Sequence, residues 1–366
     1  MKLGRNDKCW CDSGKKYKKC HLDRDKMPEI SRGDVHGHTN KIKNVKYCSV
    51  PDSLKNGCNK HMIKAHTISK SSSLKSIAIN SHVMGTKHHY DAISKNSGIL
   101  KLESIGINSA STFTGFCAVH DRDLFSPIEN EIFIPTKKNC FLLSYRPVCR
   151  EVYAKRNSNE TANFLRNFDK GKNYIEQRAL QTALSVYQEG IENSIKDLKI
   201  LKDKMDAILS TDSFDNMDHF VIELNEIPQI NASGSILPTF DFDGNRLQTL
   251  TERTVSTVIF NSIYSGENGY FIFSWLKDDE IIVRKFIESL SNKDDIADRL
   301  VAFLFSYCEN VFCSPNWWND LPIDRQEDIN ARIMEGLPGF KPTDSKTLST
   351  TLHGYGAFTV KQSYYL

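Results

Sequence analysis

No run in this chain approaches the ~20 consecutive apolar residues that a helical membrane span requires, so no membrane segment is expected. The basic N-terminus has no apolar stretch behind it, which argues against a secretory leader and for a cytoplasmic location. Glycine-rich phosphate loops and usable Ser-His-Asp orders are missing, which sets aside the enzymes built on them. No internal repeat is visible. The apolar fraction, 39%, is lean but compatible with globular folding, and the charged fraction of 25% is ordinary. At 366 residues the chain exceeds one ordinary core and suggests two or three domains.

What is present is cysteine, with an uneven charge. Of the 10 cysteines, six lie in the first 117 residues near histidines. Without an export signal, reduced thiols and zinc are a simpler account than disulfides. Residues 1–70 carry 17 Lys/Arg against 7 Asp/Glu, while the remainder carries 31 against 38, so the net charge of +3 hides a basic front on an acidic body. Such a front suits phosphate backbones.

Cys9-x-Cys11, eight residues, then Cys20-His21 places four zinc-type ligands in a stretch with too little apolar surface to fold on its own core. The stretch Gly4-Arg5-Asn6-Asp7 through Ser13-Gly14-Lys15-Lys16-Tyr17-Lys18-Lys19-Cys20-His21 closely resembles the SEC-C zinc motif, known from the tail of the preprotein translocase motor and from many other bacterial proteins. Departures are Lys8 and Trp10, where proline is usual, and Asp12, where glycine is usual; none is a ligand. The resemblance implies zinc on Cys9, Cys11, Cys20 and His21 and a surface for docking a protein partner. It names no reaction.

A second Cys/His-rich block runs from Tyr47 to about Pro135. Cys48, Cys58, Ala65-His66-Thr67-Ile68, Asn108 and Gly115-Phe116-Cys117-Ala118-Val119-His120-Asp121 together resemble the zinc-supported HNH, or ββα-metal, nucleases. The resemblance implies a structural zinc on Cys48, Cys58, Cys117 and His120, with the Cys-x2-His spacing suiting one helical turn. It further implies His66 as general base, Asp121 as ligand of a catalytic Mg2+ or Mn2+, and Asn108 as the residue that orients loop and base. The chemistry suits these types: an imidazole near its ordinary pKa of ~6.5 can activate water, and a divalent ion stabilises the leaving oxygen. Lys64, Lys70 and Lys75 would neutralise phosphates. Three features depart from the pattern. Ala65 stands at the first metal-ligand position, Cys48 and Cys58 are widely spaced, and a long insertion separates His66 from Cys117. His82, His88 and His89 lie in that insertion and could supply a missing ligand. Two alternatives stay open: a closed zinc site of Cys48, Cys58, His61 and His66, or Cys117 as a buried thiol beside a helix-start pair His120-Asp121.

Residues 22–45 read as a tether with His36 and His38 solvated. Cys140–Tyr145 reads as a buried strand or helix start and Glu151–Phe168 as helical. Gly171–Ser210 is a long helix with Leu184, Ile191, Leu198 and Met205 at heptad spacing, packed on a partner helix or forming a coiled-coil dimer. Strands are expected at Phe220–Asn225, Val255–Phe260 and Tyr270–Trp275, and an amphipathic helix over Asp294–Cys313. Asp241–Asn245 reads as a turn, Cys308 and Cys313 as core thiols, and Trp317-Trp318 as a packing anchor.

The expectation is a multi-domain α+β protein: a zinc knuckle (1–24), a linker (25–46), an HNH-like ββα-metal zinc domain (47–135), a long helical segment (136–210) and a C-terminal α+β domain (211–366). Two zinc ions and nucleic acid binding follow. The leading function is a metal-dependent endonuclease, a hydrolase of DNA or RNA like the effectors of phage (antiviral) defence or toxin systems. The rival is a non-catalytic adaptor for a ribosome, RNA or protein; a regulator dimerising through 171–210 is a third reading.

Overall fold

The computed structural model describes residues 3–87, 96, 98–250, 254–337 and 340–366. The strands are β1 (Met62–His66), β2 (His82–Thr86), β3 (Leu102–Gly106), β4 (Thr112–Cys117), β5 (Met217–Leu224), β6 (Ile230–Ile236), β7 (Val258–Ser265), β8 (Asn268–Leu276), β9 (Asn310–Cys313) and β10 (Val360–Tyr365). The main helices are α1 (Arg32–Lys43), α2 (Ala118–Glu129), α3 (Lys137–Leu165), α4 (Tyr174–Thr211), α5 (Glu280–Ser291), α6 (Ile296–Tyr307) and α7 (Ile323–Met334). Contacts partition the chain into two discontinuous units, Met1–Lys46 with Val152–Lys199, and Tyr47–Glu151 with Ile200–Leu366. Each gathers segments that the serial domain order above places apart.

In the first unit, the stretch expected as a tether contains α1. Ser31 and Asp34 form a capping box that satisfies its first N–H groups. The helix lies on the C-terminal part of α3: the His38 ring stacks on Phe164 with centroids 4.2 Å apart, and the Tyr153 hydroxyl donates to the Val45 carbonyl at 2.9 Å. His38 is thus half-buried, not solvated, and burial lowers its pKa. The helix escapes sequence reading because a histidine and a short apolar set, not a periodic stripe, make its contact.

The seam that α4 buries in this unit is Gln177, Gln181, Leu184, Gln188 and Ile191, at alternating spacings of four and three. Two of its three glutamines answer Arg166, whose Nε donates to Gln188 at 2.6 Å and Nη1 to Gln181 at 2.7 Å, while Gln177 donates to the Lys172 carbonyl at 2.8 Å. Leu184 and Ile191 of the heptad pattern are therefore covered within the chain. Gly171, in the connection from α3 to α4, has φ +75°, and its N–H donates to the Arg24 carbonyl at 3.0 Å. A Cβ there would lie 2.9 Å from Glu29 Cγ and 3.2 Å from the Met27 carbonyl oxygen, so a side chain would push residues 24–29 off the turn.

The second unit is built on an antiparallel sheet of order β10-β5-β8-β7-β6-β9-β2-β3. Its central strands read as near-continuous apolar runs because both faces are covered. Phe220, Ile222, Phe260, Phe271, Phe273 and Trp275 point to one face and pack with Val283, Phe286 and Leu290 of α5 and with Leu300, Phe303 and Leu304 of α6. Residues of opposite parity, including Asn231, Asn310 and Phe312, meet the segments on either side of β2 and β3. Asn231 donates to the Ser73 carbonyl at 3.0 Å, Asn310 donates to the Ser111 hydroxyl at 2.9 Å, and Phe312 joins Ile68, Leu74, Val83 and Ile107. The long insertion between His66 and Cys117 is accordingly part of the sheet: it supplies two of its strands. Asp294–Cys313 divides into α6 and β9 because burial becomes two-sided at Asn310–Cys313. Cys308 and Cys313 are buried thiols whose pKa burial raises. Trp317 is buried, with its indole N–H on the Tyr355 carbonyl at 2.8 Å. Asp241 closes a turn by accepting from the N–H groups of Asp243 and Asn245.

His219 on β5 is wholly buried opposite Ser274 on β8, its Nδ1 2.8 Å from the Ser274 hydroxyl. Burial pushes its pKa down to about 3. A histidine depressed in the folded state contributes full stability above its unfolded pKa of ~6.5, and that stability is lost as pH falls towards the folded value. On the order of 4 kcal/mol should disappear between neutral pH and pH ~3. His219→Gln, which keeps a hydrogen bond but does not titrate, should lack this component in denaturation curves taken at a series of pH values. Equal acid sensitivity in both chains would count against it, since zinc release in acid is common to the two.

Candidate metal centres

The knuckle folds by backbone bonds among polar residues. Cys9 N–H donates to the Lys15 carbonyl at 2.9 Å, Tyr17 N–H to that of Asp7 at 2.8 Å, and the N–H groups of Cys20, His21 and Leu22 all converge on the Tyr17 carbonyl. Asp12 and Gly14 turn the loop with φ of 56° and 69°. Aspartate tolerates the left-handed region, which explains how Asp12 replaces the glycine usual in the motif. Cys9 Sγ and Cys20 Sγ each lie 3.2 Å from His21 Nδ1, and Cys11 Sγ lies 3.5 Å from Cys20 Sγ. All four donor atoms fall within 4.8 Å of one another.

The second centre has the same donor set. Cys48, Cys58, Cys117 and His120 also converge within 4.8 Å. β1 and β4 pair antiparallel, and α2 starts directly after β4. Cys117 caps α2, its sulfur accepting from His120 N–H, so one helical turn brings His120 Nδ1 to 3.2 Å from Cys117 Sγ and 3.4 Å from Cys48 Sγ. The loop carrying Cys48 is anchored next door: Lys202 Nζ donates to the Ser49 carbonyl at 2.8 Å and to the Tyr145 hydroxyl at 2.9 Å, and that hydroxyl donates to Asp206 at 2.6 Å. His61 and His66 stay outside the cluster, so the closed alternative set is not the one assembled.

Both centres fit zinc. With Zn–S of about 2.3 Å and Zn–N of about 2.0 Å, the donors of a tetrahedral site stand roughly 3.5 Å apart, close to these separations. Burial pushes Cys9 up to about 12, while in Cys11 burial is outweighed by bonds from Ser13 and Cys20 and the pKa falls to about 7. Cys48 is likewise raised by burial to about 11. In Cys117 burial is outweighed by hydrogen bonds from the backbone of His120 and Asn59 and from Cys58 and Cys48, and the pKa falls to about 6. The sulfurs of each set compete for negative charge, and a dication can hold them all as thiolates.

The residues implied for cleavage are not part of this cluster. His66 closes that strand and bonds through Nε2 to the Ile107 carbonyl at 3.0 Å. That bond makes Nε2 the protonated nitrogen and leaves Nδ1 as the basic one. Burial, then Lys70 and Arg146, lower the His66 pKa against the Ile107 bond. Asn108 is exposed; the group that holds His66 is the carbonyl of the residue before it. Ala65 is buried and offers no donor. Asp121 faces Arg146, whose Nη2 lies 3.3 Å away. Arg146 Nη1 donates to Glu129 at 2.6 Å and to the His66 carbonyl at 2.8 Å, and the guanidinium lies 3.8 Å from the Phe125 ring centroid. Burial raises the Asp121 pKa against the pull of Arg146. His82 is exposed on β2 and bonds to the Asn80 carbonyl; His88 and His89 lie outside the described residues. Lys64, Lys70 and Lys75 are exposed.

Arg146, Glu129 and Asp169 are absent from the sequence expectations. A lone arginine inside the otherwise apolar, buried run Cys140–Cys149 is the signal that could have revealed the first. Asp169, which meets His21 from 148 residues away, leaves no local trace.

Among the described residues no helix is long and apolar enough to cross a membrane. No curated protein and no solved structure matches the chain. A family model does match residues 5–23, and with its four donors assembled that segment is a SEC-C motif, a zinc-binding motif.

Proposed function

We propose that the protein is a non-catalytic, zinc-supported adaptor that holds nucleic acid by its phosphate backbone through the lysine face of the SEC-C segment. The observation that carries this reading is Arg146. Phosphodiester cleavage at His66 needs a divalent cation held by donors beside it. Ala65 supplies none, and Asp121 and Glu129 already share a guanidinium whose side chain is 3% exposed. The positive charge at this place belongs to the fold and cannot reach a substrate.

The first unit, by contrast, carries accessible positive charge on the knuckle itself. Arg5, Lys8, Lys15, Lys16, Lys18 and Lys19 are exposed, and among the described residues none of the six forms an ion pair. The unit as a whole carries 21 Lys/Arg against 12 Asp/Glu. Such a face gains affinity for phosphate backbones by releasing their counterions, without reading sequence.

A specific observation also favours the nuclease reading. His66 stands free of the cysteine cluster, neutral and oriented, with Nδ1 as the basic nitrogen. In that reading Asp121 exchanges Arg146 for Mg2+ or Mn2+. Fluorescence anisotropy with labelled RNA and DNA over a salt series, beside cleavage assays with either ion, separates the two. Under the adaptor reading, reversing Lys15, Lys16, Lys18 and Lys19 to glutamate weakens binding about tenfold or more and flattens the salt dependence, and neither nucleic acid is cut. Cleavage that disappears in His66→Ala at unchanged zinc content would establish the nuclease instead. A charge-reversed chain that binds as the wild type does would end the adaptor reading.

A further inference from the structure

We propose that Asp169 is the residue that positions His21 as a zinc ligand, making zinc binding at the knuckle and its closure on the α3–α4 connection one event. This rests on the knuckle holding zinc. His21 presents Nδ1 to the sulfurs of Cys9 and Cys20 at 3.2 Å, and its Nε2 lies 2.8 Å from Asp169 Oδ2. A carboxylate accepts only, so Nε2 carries the proton and Nδ1 is bare. That is the tautomer a metal needs, and the carboxylate fixes the orientation of the ring.

Asp169 is itself fixed. It is fully buried at the end of the Arg166–Asp169 turn that follows α3. Oδ1 accepts from Arg24 Nε at 2.5 Å, and Oδ2 accepts from Gln181 Nε2 on α4 at 2.6 Å. Arg24 also donates from Nη2 to the Arg166 carbonyl at 2.9 Å. Trp10 packs on the His21 ring at 4.4 Å between centroids and sets its plane. Both carboxylate oxygens are thereby used, one on the arginine and the other on the ligand histidine and the α4 amide. Arg24 alone would neutralise the buried charge; the bond to Nε2 is what reaches the metal centre.

The test uses the full-length chain, with zinc affinity measured by chelator competition and the absorption bands of the cobalt-substituted protein. Asp169→Ala should lower the affinity of one of two zinc ions about 10- to 100-fold and leave the other unchanged. Asp169→Asn, which can still accept from Nε2, should retain most of the affinity yet shift the cobalt bands, a change that loss of packing alone does not produce. Arg24→Ala, which leaves His21 and Asp169 facing each other, should keep the affinity within a few-fold. Unchanged zinc affinity in Asp169→Ala overturns the proposal. So does an equal loss in Arg24→Ala, which would mean that docking, not the imidazole, is what matters. A Cys9→Ser chain that holds as much zinc as the wild type would overturn the knuckle zinc itself and the proposal with it, a result distinct from the other two.

Discussion

Cys117→Ser is expected to leave the chain with one zinc ion and to abolish protection from hydrogen exchange across β1, β4 and the first turn of α2. Cys117 does two jobs at once. Its sulfur caps α2 and lies 3.2 Å from the His120 nitrogen, so it joins the metal centre to the helix start. Structural zinc supplies roughly 10–16 kcal/mol of apparent binding free energy in small domains. A typical domain is stable by only about 5–15 kcal/mol, so losing one ligand is a first-order effect. β1 and β4 pair as a separate two-stranded sheet, which is too narrow to be stable without support. Cys313→Ala is the control: it removes a buried sulfur on β9 that belongs to neither donor cluster among the described residues, and should keep two zinc ions at a modest cost in stability. Metal analysis with exchange mass spectrometry reads the contrast. Two zinc ions and unchanged protection in Cys117→Ser would remove Cys117 from the centre.

Arg146→Ala should destabilise the second unit by about 3 kcal/mol at neutral pH, the low end for breaking a buried pair, because the stranded carboxylates Asp121 and Glu129 are only half-buried. The guanidinium answers Asp121, Glu129 and the His66 carbonyl together, and it covers the face of Phe125. Burial already lifts the Asp121 pKa in the intact chain, and without Arg146 it rises further. An acid with a raised folded pKa binds more protons folded than unfolded, so its penalty shrinks as pH falls through that value. The deficit of the variant relative to wild type should therefore be smaller at mildly acidic pH than at neutral pH. Chemical denaturation of both chains at two pH values measures this. A deficit under about 1 kcal/mol, or one that ignores pH, would mean that water replaces the guanidinium freely.

The two metal centres were readable because their ligands announce themselves locally. Cys9, Cys11, Cys20 and His21 lie within one loop, and Cys117 and His120 within one helical turn, so spacing alone constrains geometry. Cys48 and Cys58 required a resemblance, since nothing in their separation of ten positions dictates a shared ion. The strands Met217–Leu224 and Asn268–Leu276 were legible for a different reason: two-sided burial makes a sheet centre read as an apolar run. β2 and β3 were not, because two five-residue strands of mixed polarity, one at the sheet's edge and one beside it, look like loops until their partners are known. Gly85 shows the point: it pairs with Phe312, and a Cβ there would come within 2.6 Å of that ring, a constraint invisible 227 positions earlier in the chain.

By itself the sequence determined which residues can bind zinc, that the front of the chain is basic, and where the longest helix runs. Those properties belong to short spans, in which chemistry and spacing decide alone. Only the tertiary structure decided that Arg146 stands between Asp121 and Glu129, that Asp169 backs His21, and that the insertion after His66 completes a sheet with residues 217–313. Each of these joins charges or backbone edges far apart in the chain. Burial, which turns such encounters from incidental into obligatory, does not exist until the chain has folded.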